Sequence, residues 1–281
     1  MPDLAHIDNT NTTPPASMQR ARGTGRLVTQ VRDGRTHIAE LYQEGCAKIR
    51  LPRTHSNALE AVLINSSGGV TGGDRLDWNL VAAPQSRLVV TSQACERVYK
   101  STGADAVVSN TITIGADAHV DWLPQETILF EQSRLRRTLN VDLAEGASLT
   151  AVEAILLGRE AMGEAARSAL LNDNWRIHRN GQLIHAEANR LTAADLERDA
   201  LSLLAGNNAF ATILFIGDSA AAKVETVRAL IPEGAKAAVS AINQRLTVRV
   251  LAPTGLALRR IITPIIAHLS RAGSLPRLWT T

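Results

Sequence analysis

A turn followed by a short apolar strand recurs at regular spacing in the middle of the chain. The pattern begins at Ser86, Asp117 and Ser148, so that successive starts lie about 31 residues apart. A period in this range is typical of stacked supersecondary units, each of which buries its apolar face only against its neighbours. The spacing therefore predicts a mainly β fold, a layered or helically wound β-structure like a solenoid. A plain β-sandwich is the alternative that it leaves open.

From about residue 38 to residue 188 the chain is predicted to form many short strands. Apolar alternation with flanking turn residues predicts the individual strands, within this range and beyond it. They cover residues 58–66, 76–82, 87–92, 107–114, 119–123, 128–131, 135–143, 148–156 and 210–216. Asn180-Gly181 further predicts a type I′ hairpin turn within residues 175–185. A two-residue turn there places His178 and His185 diagonally on one face of the hairpin.

Two helices are predicted near the C-terminus. The first covers residues 218–230 and is capped by Asp218 or Ser219. The second covers residues 256–271, which carry apolar side chains at helical spacing. Pro264 either kinks the second helix or marks its first turn. Strands and helices together predict a single β-rich domain over residues 26–281, and the polar residues 1–25 are interpreted as a disordered tail.

The composition argues against several classes of function. The chain has 30 Lys and Arg against 27 Asp and Glu, and no basic run is interleaved with aromatic residues, so a nucleic acid is not an expected partner. No membrane-spanning apolar run and no signal peptide are recognised, which predicts a cytoplasmic protein without a membrane partner. The surplus of arginine reflects either compositional bias or an acidic protein partner. The densest basic segment is Arg134-Leu135-Arg136-Arg137. In an alternating strand Arg134 and Arg136 share one face, and Leu135 and Arg137 share the other.

A glycine-rich loop contains Gly68, Gly69, Gly72 and Gly73. It is not a Walker A loop, because no Gly-Lys-Ser/Thr follows, and it is not a dinucleotide fingerprint, because an alternating strand follows instead of a helix. Two interpretations remain. Either Asp74 hydrogen-bonds backbone N–H groups in a tight turn, or the loop with Asp74-Arg75 forms a contact surface.

A few polar residues lie within otherwise apolar segments. Cys95 is interpreted as a structural cysteine, a metal ligand or a nucleophile, and Glu126 follows a proline. Glu153 lies in the middle of a strand, where it is either on a polar face or a buried carboxylate that needs a partner such as Arg159. His119, His178 and His185 lack metal-ligand spacing and favour a solvated strand face. The residues alone thus favour a binding or scaffold protein over an enzyme.

Several segments, taken in order, resemble the UreD (UreH) family of urease accessory proteins. They are Ser-Gly-Gly-Val-Thr-Gly-Gly-Asp-Arg-Leu from Ser67, Thr-Ser-Gln-Ala-Cys-Glu-Arg-Val-Tyr-Lys-Ser from Thr91, Trp-Leu-Pro-Gln-Glu-Thr-Ile-Leu-Phe from Trp122, Arg-Leu-Arg-Arg-Thr-Leu from Arg134, Leu-Gly-Arg-Glu-Ala-Met-Gly-Glu from Leu157 and Leu-Pro-Arg-Leu-Trp from Leu275. The resemblance extends from about residue 26 to the C-terminus.

The resemblance implies a non-enzymatic protein with a wound β fold and two helices. It implies that such a protein acts with UreF and the GTPase UreG, binds urease apoprotein and promotes insertion of nickel, with no tightly bound cofactor and only transient Ni²⁺. An interior nickel passage makes Cys95, Glu126 and Glu153 the candidate metal-contacting residues. Asp74, Arg75, Arg134 and Arg136 are the candidate partner-binding residues.

A function of a different class is also considered. The stacked strands and the surplus of arginine suggest a cytosolic β-solenoid enzyme that acts on an acidic polysaccharide. Hydrolysis of a sugar polymer usually needs two carboxylates that flank the scissile bond. No such carboxylate cluster is evident in the sequence, so this function remains the alternative.

Overall fold

The fold consists of two stacked β-sheets with helices on one side. A computed structural model describes residues 19–192, 200–201, 203–271 and 275–279. Its strands and helices are β1 (Arg22–Arg32), β2 (Arg35–Gly45), β3 (Ala47–Arg50), β4 (Leu59–Asn65), β5 (Arg75–Ala82), β6 (Arg87–Ser92), β7 (Glu96–Val98), β8 (Ala106–Ile114), β9 (His119–Leu123), β10 (Thr127–Leu129), β11 (Arg134–Leu143), β12 (Ser148–Leu157), β13 (Leu170–Arg179), β14 (Gln182–Leu191), β15 (Ala209–Ile216), α1 (Val224–Leu230), β16 (Lys236–Ile242), β17 (Arg245–Ala252) and α2 (Gly255–Leu269).

The chain passes repeatedly from one sheet to the other. The first sheet has the strand order β14-β13-β11-β8-β5-β1-β2, and the second has the order β16-β17-β15-β12-β9-β6-β4-β3, with β10 bridging β12 and β7. One apolar cluster fills the space between the sheets, and a second lies between the second sheet and the helices. The result is three layers: first sheet, second sheet, helices.

Successive coils stack in register, as the spacing of the turns predicts. In the second sheet Arg87 pairs with His119 and His119 with Ser148, all in parallel strands. In the first sheet Arg75 pairs with Val107 and Val107 with Arg136. Each coil of about 30 residues therefore adds one strand to each sheet. The predicted mainly β, solenoid-like class with two helices near the C-terminus is confirmed.

The N-terminal prediction is wrong in its boundary. Strand β1 begins at Arg22, inside the segment assigned to the tail, and pairs with β2 over its whole length. Residues 1–18 lie outside the described part of the chain. Neither β1 nor the first residues of β2 were recognised as strand from the sequence.

The predicted hairpin is confirmed, but the placement of its histidines is wrong. Asn180 and Gly181 both have positive φ, as a type I′ turn requires. A bulge then shifts the register, so that His185 pairs with Ile177 while His178 pairs with Leu183. Because Ile177 and His178 are consecutive residues of one strand, the two histidines lie on opposite faces.

The helices are close to their predicted positions. A 3-10 turn at Ala221–Lys223 leads into α1, and Thr254 caps α2 by accepting a hydrogen bond from the N–H of Ala257 at 3.1 Å. Pro264 lies inside α2, which excludes the first-turn alternative. None of the helices that the structure describes is long and apolar enough to cross a membrane.

Candidate functional site

Two neighbouring paths of the second sheet, β6 to β7 and β9 to β10, are interrupted at the same level. Between β6 and β7 the chain leaves the ladder at residues 93–95, and between β9 and β10 it leaves at residues 124–126, where Pro124 lacks a backbone donor. The next strand, β12, continues through this level without a break. The two interruptions bring Cys95 and Glu126 together, with 3.5 Å between Cys95 Sγ and Glu126 Oε2.

Two cavities meet at this interruption. The outer groove, about 1070 Å³, is lined by residues that include Tyr99, Glu126, Phe130, Met162, Leu256 and Arg259. The inner cavity, about 500 Å³, lies between the sheets beside the glycine-rich loop and is lined by residues that include Gly69, Trp78, Glu96, Trp122, Arg137 and Glu153. Cys95, Arg97 and Ile128 line both. The side chains at the interruption therefore form the wall between groove and cavity.

Arg259 fixes the carboxylate on the groove side of this wall. Its Nη1 donates to both oxygens of the buried Glu126, at 3.0 and 3.1 Å, while Nη2 donates to the carbonyl of Leu278 at 2.7 Å. Burial raises the pKa of the Cys95 thiol to about 11, and the neighbouring Glu126 adds to the effect. Cys95 is therefore a protonated thiol at neutral pH.

Glu153 belongs to a buried charge cluster on the wall of the inner cavity. Its Oε2 lies 2.7 Å from Arg137 Nη1, and its Oε1 accepts from the indole N–H of Trp122 at 3.2 Å. Arg137 in turn donates from Nε and Nη2 to the two oxygens of Asp173, at 3.1 and 2.8 Å. The predicted pairing of Glu153 with Arg159 is wrong, because Arg159 pairs with Glu164 near the surface.

The cluster shifts the ionisation of its members. Burial raises the pKa of Glu153 to about 7 against the opposing effect of Arg137. Burial also raises the pKa of Glu96 to about 7, although a 3.0 Å hydrogen bond from Asn65 favours its charged form. For Arg137 burial lowers the pKa, but the facing carboxylates of Asp173 and Glu153 outweigh it, so that the pKa is raised overall.

Asp74 has a structural role in the glycine-rich loop. One carboxylate oxygen accepts from the N–H of Ala21 and the other from the N–H of Thr71, both at 2.8 Å. The residue is buried. The tight-turn interpretation is confirmed, because both carboxylate oxygens are occupied inside the fold. The assignment of Asp74 to partner binding stays a prediction.

The three candidate arginines lie on the outer face of the first sheet. Arg75 and Arg136 both pair in register with positions on β8, so they share one row across the sheet. The side chain of Arg75 is 58% exposed beside Asp77, and Arg134 pairs with Asp105 at 2.9 Å. The predicted alternation is confirmed, because Leu135 and Arg137 point into the core.

The histidines do not converge on a metal site. His119 is buried, with Nε2 2.6 Å from Asp121 Oδ1 and Nδ1 2.8 Å from Ser148 Oγ. Although this order resembles a hydrolase triad, all three residues are buried, and Ser270, just after α2, donates to Asp121 at 2.7 Å. The group therefore anchors the end of α2 to the second sheet.

Within the described ranges, no three His, Cys, Asp or Glu side chains lie close enough together to hold a metal ion. The structure thus brings Cys95 and Glu126 into contact and places Glu153 deeper, on the inner cavity. The residues that sequence reasoning missed are Glu96, Arg137, Asp173 and Arg259. Alternation separated Arg137 from the face of Arg134 and Arg136, but the partners of Arg137 come from other strands.

Comparison with known proteins identifies the family. The model of the UreD urease accessory protein family matches residues 21–280. A protein named urease accessory protein UreD from a Chelativorans species is 62% identical over 95% of this chain and 96% of its own length. Proteins of the same name from Rhizobium johnstonii and Agrobacterium fabrum are 52% and 48% identical, over 93% and 94% of this chain and 96% and 93% of their own lengths. The chain belongs to the UreD family of urease accessory proteins.

Proposed function

We propose that this chain is a non-enzymatic, cytoplasmic scaffold that binds urease apoprotein and, with UreF and the GTPase UreG, passes nickel to it. The observation that carries the proposal is the meeting of the outer groove and the inner cavity at Cys95. Nickel enters as cargo and leaves with urease, so that Ni²⁺ is bound only transiently and no resident cofactor is required.

The polar residues at the two cavities suit transfer rather than storage. Thiolate and carboxylate groups both bind nickel, and Cys95 would have to release its proton to the solvent when the cation binds, which weakens the binding further. Cys95 and Glu126 offer one sulfur and one carboxylate on the groove side, and Glu153 offers a carboxylate on the inner side. A cation that meets one or two ligands at a time is held weakly and can move on, whereas a complete coordination shell would retain it.

The outer face of the first sheet is proposed as a partner surface. Arg75, Arg134 and Arg136 present guanidinium groups there, and guanidinium groups recognise carboxylates with two parallel hydrogen bonds. An acidic surface of one of the three proposed partners fits this face. Relatives along nearly the whole chain are named urease accessory proteins, which argues against the polysaccharide-degrading alternative.

Urease activation tests the passage. Urease would be produced with its accessory proteins and with either the wild-type chain, Cys95→Ser, Glu153→Gln or the double variant. Since each variant removes one ligand without removing volume, we expect the double variant to lower urease nickel content and activity at least tenfold. Co-purification with the partners should be unchanged.

Glu233→Gln serves as the matched control, because Glu233 is an exposed glutamate that lines neither cavity. It should leave nickel content and activity at the wild-type level. Full activation by the Cys95→Ser, Glu153→Gln double variant would contradict a passage that depends on these side chains.

A further inference from the structure

Arg137 occupies the point on which two buried carboxylates converge. It lies on β11 and is paired in register with Asp173 of the neighbouring strand β13, while Glu153 reaches it from β12 in the opposite sheet. The side chains of Arg137, Asp173 and Glu153 are only 7%, 1% and 4% exposed. The guanidinium therefore links the two sheets inside the molecule, at the wall of the inner cavity.

Three of the four carboxylate oxygens of this pair accept hydrogen bonds within the cluster, and the fourth, Oε2 of Glu153, forms an ion pair with Arg137 at 2.7 Å. Asp173 accepts from Nε and Nη2 of Arg137, and Glu153 contacts Nη1 of Arg137 with one oxygen and the indole N–H of Trp122 with the other. Nη1 also donates to the hydroxyl of Thr127 at 2.9 Å. Because Nη1 and Nη2 belong to one planar group, the two carboxylates face a common centre that is already filled by a positive charge.

The same centre would suit a divalent cation if the guanidinium were absent. Carboxylates from two sheets would then converge on an empty space, with Glu96 of the inner cavity near enough for its charge to affect Arg137. A chelating set of this kind would hold a cation in the interior. Arginine stays charged under all physiological conditions, so the position remains blocked.

We propose that Arg137 is the resident counter-charge of the inner cavity: it positions Glu153 and Asp173 and prevents them from chelating a divalent cation. The meaning of this role for nickel delivery rests on the proposed function. A passage lined by acidic groups would retain nickel if those groups bound it tightly. A fixed positive charge among them limits how strongly the passage binds the ion. Arg137 acts as a positioning residue and does not itself contact nickel.

Nickel binding to the purified full-length chain tests the inference. Nickel chloride would be titrated calorimetrically into the wild type, Arg137→Met, Arg137→Lys and Arg137→Met combined with Glu153→Gln and Asp173→Asn. We expect Arg137→Met to bind one additional Ni²⁺ at least tenfold more tightly than the wild type does. Arg137→Lys keeps the charge and should resemble the wild type, and the triple variant should lose the added site.

Thermal unfolding covers the case in which Arg137→Met is poorly folded. A cation that binds only the folded state raises its melting temperature, so Ni²⁺ should stabilise Arg137→Met more than the wild type and should restore its folding if that is lost. Unchanged nickel affinity with a native circular dichroism spectrum, an unfolded variant that nickel does not rescue, or tight binding by the triple variant would each overturn the inference.

The two proposals fail separately. If the role of Arg137 is disproved, the proposed nickel passage is unaffected, because the passage is tested by urease activation with Cys95→Ser and Glu153→Gln. Unimpaired activation by those variants removes the passage, whereas the gain of a nickel site in Arg137→Met is measured on the isolated chain and does not depend on urease.

Discussion

Glu96 is a carboxylate that the fold holds largely away from water, at the edge of the inner cavity. Burial raises its pKa from 4.5 to about 7, so the folded state binds its proton more tightly than the unfolded state does. For such a group the stability of the fold decreases as the pH rises from about 4.5 to about 7, because ionisation is easier in the unfolded chain. Glu153 shows the same direction of shift.

We expect Glu96→Gln to remove part of this pH dependence. The glutamine keeps an oxygen that can accept the hydrogen bond from Asn65, and it cannot ionise. At pH 8 the variant should be more stable than the wild type by about 1–3 kcal/mol, and at pH 4 the two should be nearly equal. Urea denaturation across this range measures the difference, and a variant that is equally or less stable at pH 8 would contradict the assignment.

The residues of the inner cavity show how far the sequence alone reaches. Strand alternation places Arg134 and Arg136 on one face and Arg137 on the other, and this proved correct: the structure exposes the first face and buries the second. The same pattern says nothing of which carboxylate meets Arg137, because Asp173 and Glu153 come from different strands and Glu153 from the other sheet. Pairing across sheets depends on how the coils stack, which no local pattern contains.

At the scale of elements, glycines explain why β1 was missed. Gly25 lies in the middle of that strand, and a side chain there would meet the ring of Trp78 at 2.4 Å. Glycine is read as a strand breaker, but here it makes room for a large neighbour on the adjacent strand. Strand β2 was recognised only in part for a different reason: it is exposed on both faces over most of its length and so lacks an alternating pattern.

The glycine-rich loop allows a matched comparison. Gly68 and Gly69 both have positive φ, but only at Gly69 is the space filled: a Cβ there would lie 2.6 Å from the carbonyl oxygen of Arg97 and 2.4 Å from the ring of Tyr99. That carbonyl accepts a hydrogen bond from the N–H of Val70, so it cannot move without breaking the loop's link to β7.

We expect Gly69→Ala to destabilise the protein by about 2 kcal/mol more than Gly68→Ala does, since overpacking at Gly69 adds to the strain of a positive φ, whereas a Cβ at Gly68 meets open space. Chemical denaturation of both variants measures the difference. Equal losses would show that the loop relaxes away from Arg97 and Tyr99, which would also remove the packing that encloses the inner cavity on this side.

At the scale of the whole molecule, the three layers separate two tasks. The space between the sheets and the adjoining groove contain the candidate nickel contacts, whereas the outer face of the first sheet exposes arginines. Arg22, Arg75 and Arg136 all belong to one row across this face, because each pairs in register along β1, β5, β8 and β11. Neighbouring strands are about 4.8 Å apart, so this row spans on the order of 15 Å of flat surface.

Charge reversal on this row is expected to separate assembly from transfer. The Arg75→Glu, Arg136→Glu double variant should fold normally, since both side chains point to solvent, but it should lose at least tenfold in capture of its acidic partner. Pull-down with urease apoprotein, UreF and UreG measures the loss for each partner, and the wild-type interaction should weaken with added salt.

A control double variant, Arg228→Glu with Arg260→Glu, makes the same charge change on the helical layer, on the other side of the molecule, and should capture all partners normally. If the two double variants behave alike, the face of the first sheet is not the docking surface. If only the first fails while Glu153→Gln still assembles without activating urease, holding the partners and passing the ion are tasks of different parts of the fold.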